Sequence, residues 1–237
     1  MTSIITVREA REGDLDAVAR LEQAVWSPLG TPVLERAQIE AWYRMHSPFF
    51  LIAEQDGIPC GYYFGQLVRF AMHDCVVFFR PGQGTLWEPR PHDPNSTSLF
   101  GINIVSRARG AGSALYARVR DLSESLGLNY SVGISRMSGL NAYMEENPAT
   151  ELYDPDEVAL WYALESARLL GMRSWEACPS RPRLPLPRVP AADPVLRCHA
   201  KGGHFGIVGL YPKYIEPDRE SRDYGVCIVS AYPHRLP

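Results

Sequence analysis

The stretch GINIVSRARGAGSALYARV, Gly101 to Val119, decides how this chain is read. An apolar run, Ile102 to Val105, leads into Arg107 and Arg109 and then a Gly110-Ala111-Gly112 turn. Beyond the turn, Leu115, Val119, Leu122 and Leu126 fall on one side of a helix that Gly127 stops. A strand feeding a glycine turn and a helix N-terminus is a general anion site, because the first N–H groups of a helix lack helical partners and the dipole favours negative charge. The nucleoside-triphosphate loop needs a Gly-Lys-Ser/Thr ending, but here Gly112 precedes Ser113 and Ala114 with no lysine in reach. The dinucleotide fingerprint needs a small residue where Leu115 stands and an acid closing the next strand, where YSVGISR offers none.

Working outward, IITVREA reads as a half-buried strand. REGDLDAVARLEQAVW reads as a helix with Asp14 as its N-cap, and TPVLERAQIEAWYRMH as a second helix started by Thr31 before Pro32. FFLIAEQDGIPCGYYFGQLVRF is a hairpin turning at Asp56-Gly57. Residues 70–95 form a proline- and glycine-rich insert, a long loop or irregular hairpin that could close over a substrate. TSLFGINIV and YSVGISRM are further strands. DEVALWYALESARLL is an acid-capped amphipathic helix, and residues 179–192 form a proline-dense connector. GHFGIVGLYPKYI and DYGVCIVSAY supply the last two strands.

Composition narrows the function. With 237 residues, 46% of them hydrophobic, the chain can bury a sizeable core, and a formal charge of −3 argues against nonspecific nucleic-acid binding. No apolar run of about 18 residues occurs and charged residues crowd the N-terminus, so a soluble cytoplasmic protein is expected. Cys60, Cys75, Cys178, Cys198 and Cys227 form no C-x-x-C pair, which implies reduced, mostly buried thiols rather than disulfides or zinc. His73, Asp74 and Cys75 lack a second ligand pair, so no metal is expected.

Arg107, Gly110 and Gly112, with Arg109 before the first glycine, resemble the signature of the GNAT N-acyltransferase superfamily: Arg or Gln, two residues, Gly, one residue, Gly or Ala. DPVLRCHAKGGHFGIVGLYPKYI with DRESRDYGVCI resembles the C-terminal end of larger bacterial GNAT proteins, including GNAT domains next to nitrilase-like domains. The resemblance implies an α/β (α+β) fold over residues 1–237: a single GNAT-like domain whose mixed, mostly antiparallel sheet is flanked by helices, with enlarged loops. It implies acetyl-CoA or another acyl-CoA as cosubstrate and a small-molecule amine as acceptor, while composition and spacing lead to no metal, nucleic acid or membrane partner being expected. Whether the chain forms a homodimer is left open.

The resemblance also assigns residues. Ile102, Ile104 and Val105 would hold the pantetheine arm by their backbone, one N–H polarising the thioester carbonyl. Arg107, Arg109, Gly110, Ala111, Gly112, Ser113 and Ala114 would wrap the pyrophosphate. His199, four residues before Gly203, takes the place where many GNAT proteins carry an acidic tyrosine, or else is a structural histidine. For the base, Glu54, Tyr143, Glu145 and Glu146 are candidates, Glu145 being preferred, although YMEEN reads equally as a solvated acidic loop. Tyr62, Tyr63 and Phe64 line either an acceptor site or the core. O-acylation, decarboxylation of an acyl thioester, and a noncatalytic acyl-CoA-binding module are the rival functions.

Overall fold

The computed structural model describes residues 4–69, 92–174, 186–204 and 206–232. The chain divides into two bodies, which among the described residues comprise 4–69, 92–132 and 231–232 in one and 133–174, 186–204 and 206–230 in the other.

In the first body, β1 (Ile5–Glu9), β2 (Phe50–Gln55), β3 (Ile58–Leu67) and β4 (Ser98–Ser106) pair in that order, each antiparallel to the next. The β2–β3 turn places Asp56 at φ +52 and Gly57 at φ +80, the left-handed pair that a two-residue hairpin requires. Strand alternation then sorts the core onto two faces. Phe50, Ile52, Tyr62 and Phe64 pack with Leu15, Val18 and Leu21 of α1 (Leu15–Trp26) and Ile39 and Trp42 of α2 (Arg36–Tyr43). Leu51, Ala53 and Tyr63 pack with Ala111, Leu115 and Val119 of α3 (Ala111–Ser125). Trp42 stacks on Phe64 with ring centroids 4.3 Å apart, worth about 1 kcal/mol beyond the area buried. Tyr62, Tyr63 and Phe64 are therefore core residues, each less than 5% exposed.

Two helix starts differ from the sequence reading. Asp14 makes no cap bond to α1: its carboxylate accepts Arg8 Nη1 at 2.7 Å and Nη2 at 2.8 Å and the Arg11 N–H at 2.7 Å, which holds a short 3₁₀ turn ahead of the helix. An arginine fork outbids the helix N–H groups for that carboxylate. Thr31 starts no helix either, since its hydroxyl donates to the Trp26 carbonyl. Instead α2 begins after Glu35, whose N–H donates to Gln38 Oε1 at 2.8 Å in a capping box.

The second body begins along β5 (Tyr130–Arg136) and continues through α4 (Leu140–Glu146), α5 (Pro155–Leu169), β6 (Arg173–Ser174), α6 (Pro194–Lys201), β7 (Gly206–Tyr211) and β8 (Gly225–Ala231). β7 pairs antiparallel with β8 and parallel with β6, so the architecture is α/β with mixed, mostly antiparallel strands flanked by helices. Val158, Tyr162 and Ala163 of α5 pack with Leu140 and Met144, Leu196, and Ile207 and Ile228. The fully buried Asp193 carboxylate accepts the N–H groups of Val195 (2.9 Å), Leu196 (3.1 Å) and Gly139 (2.9 Å) and the Tyr162 hydroxyl (3.1 Å). It caps α6 and ties the starts of two helices together. The chain from 186 to 192 is irregular but anchored, Leu186 and Val189 being buried and the Pro187 carbonyl accepting Tyr143 Oη and Trp161 Nε1. Most of the 70–95 insert, including His73, Asp74 and Cys75, lies outside the described residues, as do residues 179–185 of the connector. Among the described residues no helix is long and apolar enough to cross a membrane.

Candidate functional site

The end of β4 and the start of α3 form the loop singled out from the sequence. Gly110 sits at φ +89, a left-handed conformation that costs an L-residue about 1–2 kcal/mol, and here glycine is needed by the backbone itself. Gly112 differs, because a Cβ there would meet Ser106 no closer than 3.6 Å, an ordinary contact. Of the six amides from Arg109 to Ala114, three are bonded within the chain. Ala111 N–H donates to the Ala108 carbonyl (3.1 Å), Gly112 N–H to Ser106 Oγ (3.0 Å) and Ala114 N–H to the Gly110 carbonyl (2.9 Å). Those of Arg109, Gly110 and Ser113 make no hydrogen bond among the described residues. Arg107 and Arg109 are exposed, so two cations and three unused amides surround a helix N-terminus.

Upstream of the loop β4 is bulged. Asn103 pairs with Phe64 and Gly101 with Gly65, which leaves Ile102 as an extra residue out of register. A bulge bends its strand and re-aims side chains. Ile102 and Val105 pack toward the α1/α2 face and Ile104 toward the α3 face. Asn103 belongs to the first of these faces, where its Nδ2 donates to Glu22 Oε1 at 3.0 Å and to Tyr62 Oη at 2.9 Å.

Glu22 is fully buried. Its Oε1 also accepts Tyr62 Oη and Trp26 Nε1 (2.8 Å), and its Oε2 the Leu34 N–H (3.2 Å). Burial raises its pKa above the ordinary carboxylate value against the pull of these donors. The sequence reading passed over Glu22, Asn103 and Ser106. Glu22 did carry a signal: it lies seven residues after Leu15 and four after Val18, on the apolar stripe of α1.

The proton-transfer candidates lie in other settings. His199 is half-buried in the last turn of α6, its ring 5.4 Å from that of His204 and nearly perpendicular to it. Burial first, then the neighbouring His204, holds its pKa well below the usual imidazole value, so at neutral pH the ring is uncharged. An uncharged imidazole is ready to accept a proton and is a poor reservoir of one. Cys198 beside it is exposed. Glu145 and Glu146 belong to the helix α4, not to a loop. Both are exposed, and Glu145 accepts Asn141 Nδ2 at 2.8 Å. Glu54 is engaged by Arg8, whose Nε reaches it at 3.0 Å, and buried Tyr143 donates to the Pro187 carbonyl.

Neither a protein-family model nor a curated protein matches the sequence. Among solved structures, the chain is similar to the GphF GNAT-like decarboxylase in complex with isobutyryl-CoA at a TM-score of 0.64 and 19% identity, over 95% of this chain and 98% of that one. It is similar to the loading GNATL domain of CurA from Lyngbya majuscula at 0.63 and 16%, over 98% and 100%. It also resembles the ribosomal-protein-S18-alanine N-acetyltransferase from Escherichia coli at 0.52 and 12%, over 99% of each chain. At these identities the likeness is one of fold.

Proposed function

We propose that this chain, which has the GNAT fold, is an acyl-coenzyme A-dependent acyltransferase. Its cosubstrate would be acetyl-CoA or a related acyl-CoA, and its acceptor a small-molecule amine that attacks directly with no covalent enzyme intermediate. The observation that carries this reading is the anion cradle at the start of α3: the unused amides of Arg109, Gly110 and Ser113 beside the exposed Arg107 and Arg109. The coenzyme's pyrophosphate is assigned to it and the pantetheine arm to the bulged β4. The acyl-CoA supplies the thioester that is cleaved. The amine nitrogen bonds to the thioester carbon and the C–S bond breaks. His199, uncharged at rest, takes the proton from nitrogen and returns it to the departing thiolate, which leaves as free thiol. Glu145 is the second residue assigned to the base role. The deciding experiment is calorimetry of the full chain with acetyl-CoA. Arg107→Ala is expected to weaken binding about tenfold, as the loss of a charge-assisted phosphate contact predicts. Unchanged affinity would remove the coenzyme from this loop.

A second reading, decarboxylation of an acyl thioester, is favoured by one observation. The GNAT-like decarboxylase and the loading domain resemble this chain at TM-scores of 0.64 and 0.63, against 0.52 for the ribosomal-protein acetyltransferase. A β-carboxyacyl thioester such as malonyl-CoA separates the two readings. Loss of carbon dioxide with the thioester left intact and no amine present supports decarboxylation, whereas thiol release that depends on an amine supports transfer.

A further inference from the structure

Asn103 stands out among the half-buried polar residues of the first body because its surroundings fix which way its carboxamide points. Its two nearest partners are Glu22 Oε1 and Tyr62 Oη, at 3.0 and 2.9 Å, and both are buried. The Tyr62 hydroxyl already donates its proton to Glu22, so it can only accept from Asn103. A carboxylate likewise can only accept. Both contacts must therefore be made by the –NH₂ end of Asn103, and the carbonyl end, Oδ1, is turned away from them. Oδ1 has no donor among the described residues, and it is not among their enclosed, unsatisfied atoms. A side-chain carbonyl is thus held at a set angle, open and unused, next to the residue where β4 leaves register.

We propose that Asn103 is a ligand-binding residue whose Oδ1 accepts the N–H of the pantetheine amide nearer the thiol, with Glu22 and Tyr62 as positioning residues behind it. This rests on the coenzyme reading above and adds to it a side chain that the loop signature does not contain. Spacing along the strand selects that amide. Asn103 lies three residues before Ser106, about 10 Å at roughly 3.3 Å per residue, and Ser106 touches the Gly112 amide at the helix start. A phosphate seated a hydrogen-bond length beyond this turn, on the unused Ser113 amide beside it, stands about 12–13 Å from Asn103. In coenzyme A the amide nitrogen nearer the thiol is ten bonds from the phosphorus, a reach of about 12 Å for a nearly extended chain. The other amide nitrogen, six bonds away, falls short. The bulge supplies the reason a side chain is used: where the strand leaves its ladder, its backbone no longer offers regularly spaced acceptors, and Asn103 presents one in their place.

The test compares coenzyme A with adenosine 3′-phosphate 5′-diphosphate, the same molecule without its pantetheine arm, by titration calorimetry of the full chain. Asn103→Ala is expected to weaken coenzyme A about tenfold, the loss of one well-formed hydrogen bond, and to leave the truncated ligand unchanged. Replacing the N–H of the thiol-side amide by oxygen should weaken binding to the unaltered chain by a similar factor and have no further effect on Asn103→Ala. Tyr62→Phe, which releases one of the two bonds orienting the carboxamide, should also weaken coenzyme A while sparing the truncated ligand, a difference that a merely structural role would not produce. If Asn103→Ala does not fold, Asn103→Ser keeps a polar side chain on this half-buried position but withdraws the carbonyl, and it carries the same comparison. Equal affinity of Asn103→Ala and the unaltered chain for coenzyme A overturns the assignment. Failure of the unaltered chain to bind either ligand instead overturns the coenzyme reading beneath it.

Discussion

Ser106 Oγ accepts the backbone N–H of Gly112 at 3.0 Å, so the last residue of β4 acts as the cap of the helix that follows. The residue formally at the cap, Gly110, has no side chain to do so. Ser106→Ala is expected to cost about 1 kcal/mol in a urea unfolding titration. On the proposed pyrophosphate assignment, coenzyme affinity should not fall, because the Gly112 amide would be freed for the phosphate.

The two loop glycines are expected to respond in opposite senses. Gly110→Ala forces an L-residue to φ +89 and should lose about 1–2 kcal/mol of stability. Gly112→Ala meets only Ser106, at 3.6 Å, and gains helix propensity, so stability should hold or rise by up to about 1 kcal/mol. On the proposed pyrophosphate assignment its coenzyme affinity should nonetheless fall roughly tenfold or more, because the new methyl would hold the phosphate away from the loop amides. Calorimetry and unfolding of the same two proteins check both halves.

Acid should weaken the second body through His204. Burial lowers its pKa from the ordinary imidazole value to about 4, while an unfolded histidine titrates near 6.5. Above about pH 6.5 both states are neutral and His204 adds no pH dependence. As pH falls below that, the unfolded state takes up the proton first and stability declines, levelling off near pH 4, where the folded ring is protonated too. The loss is on the order of 3 kcal/mol across that window. His204→Asn should flatten this part of the pH–stability curve; an unchanged slope would falsify the assignment.

Arg136 and Asp218 form a bidentate pair at 2.6 Å through Nε and Nη2, with both side chains less than 10% exposed. Asp218→Ala removes both of these bonds from a buried guanidinium, which also contacts the half-exposed Glu220 at 3.1 Å. An unfolding titration is expected to show a loss of about 3–5 kcal/mol.

How far the sequence was legible depends on the range of the forces involved. Strand alternation, the Asp56-Gly57 hairpin and the strand–loop–helix from Ile102 onward depend on neighbours in the chain and read correctly. Asp14 and Thr31 were misread because their partners, Arg8 and the Trp26 carbonyl, take them out of the capping role. Around the candidate site, the turn that needs Gly110 and the exposure of Arg107 and Arg109 were legible. Tyr62 was legible only as an aromatic on a strand: that it faces Glu22 and Asn103, 40 and 41 residues away, depends on strand register and helix packing. The acidic YMEEN run reads as a solvated loop on its polarity alone, although Leu140, Tyr143 and Met144 supply one buried helical face.

Asp193 gives the second body a common hinge of stability. One carboxylate serves the first turn of α6, the Gly139 amide before α4 and a hydroxyl on α5, and its own N–H donates to Ser166 of α5 at 3.2 Å. None of these segments can separate without stranding the same buried acid. Their amide protons are therefore expected to exchange with solvent through a single opening event, as one cooperative unit rather than three independently fraying helices.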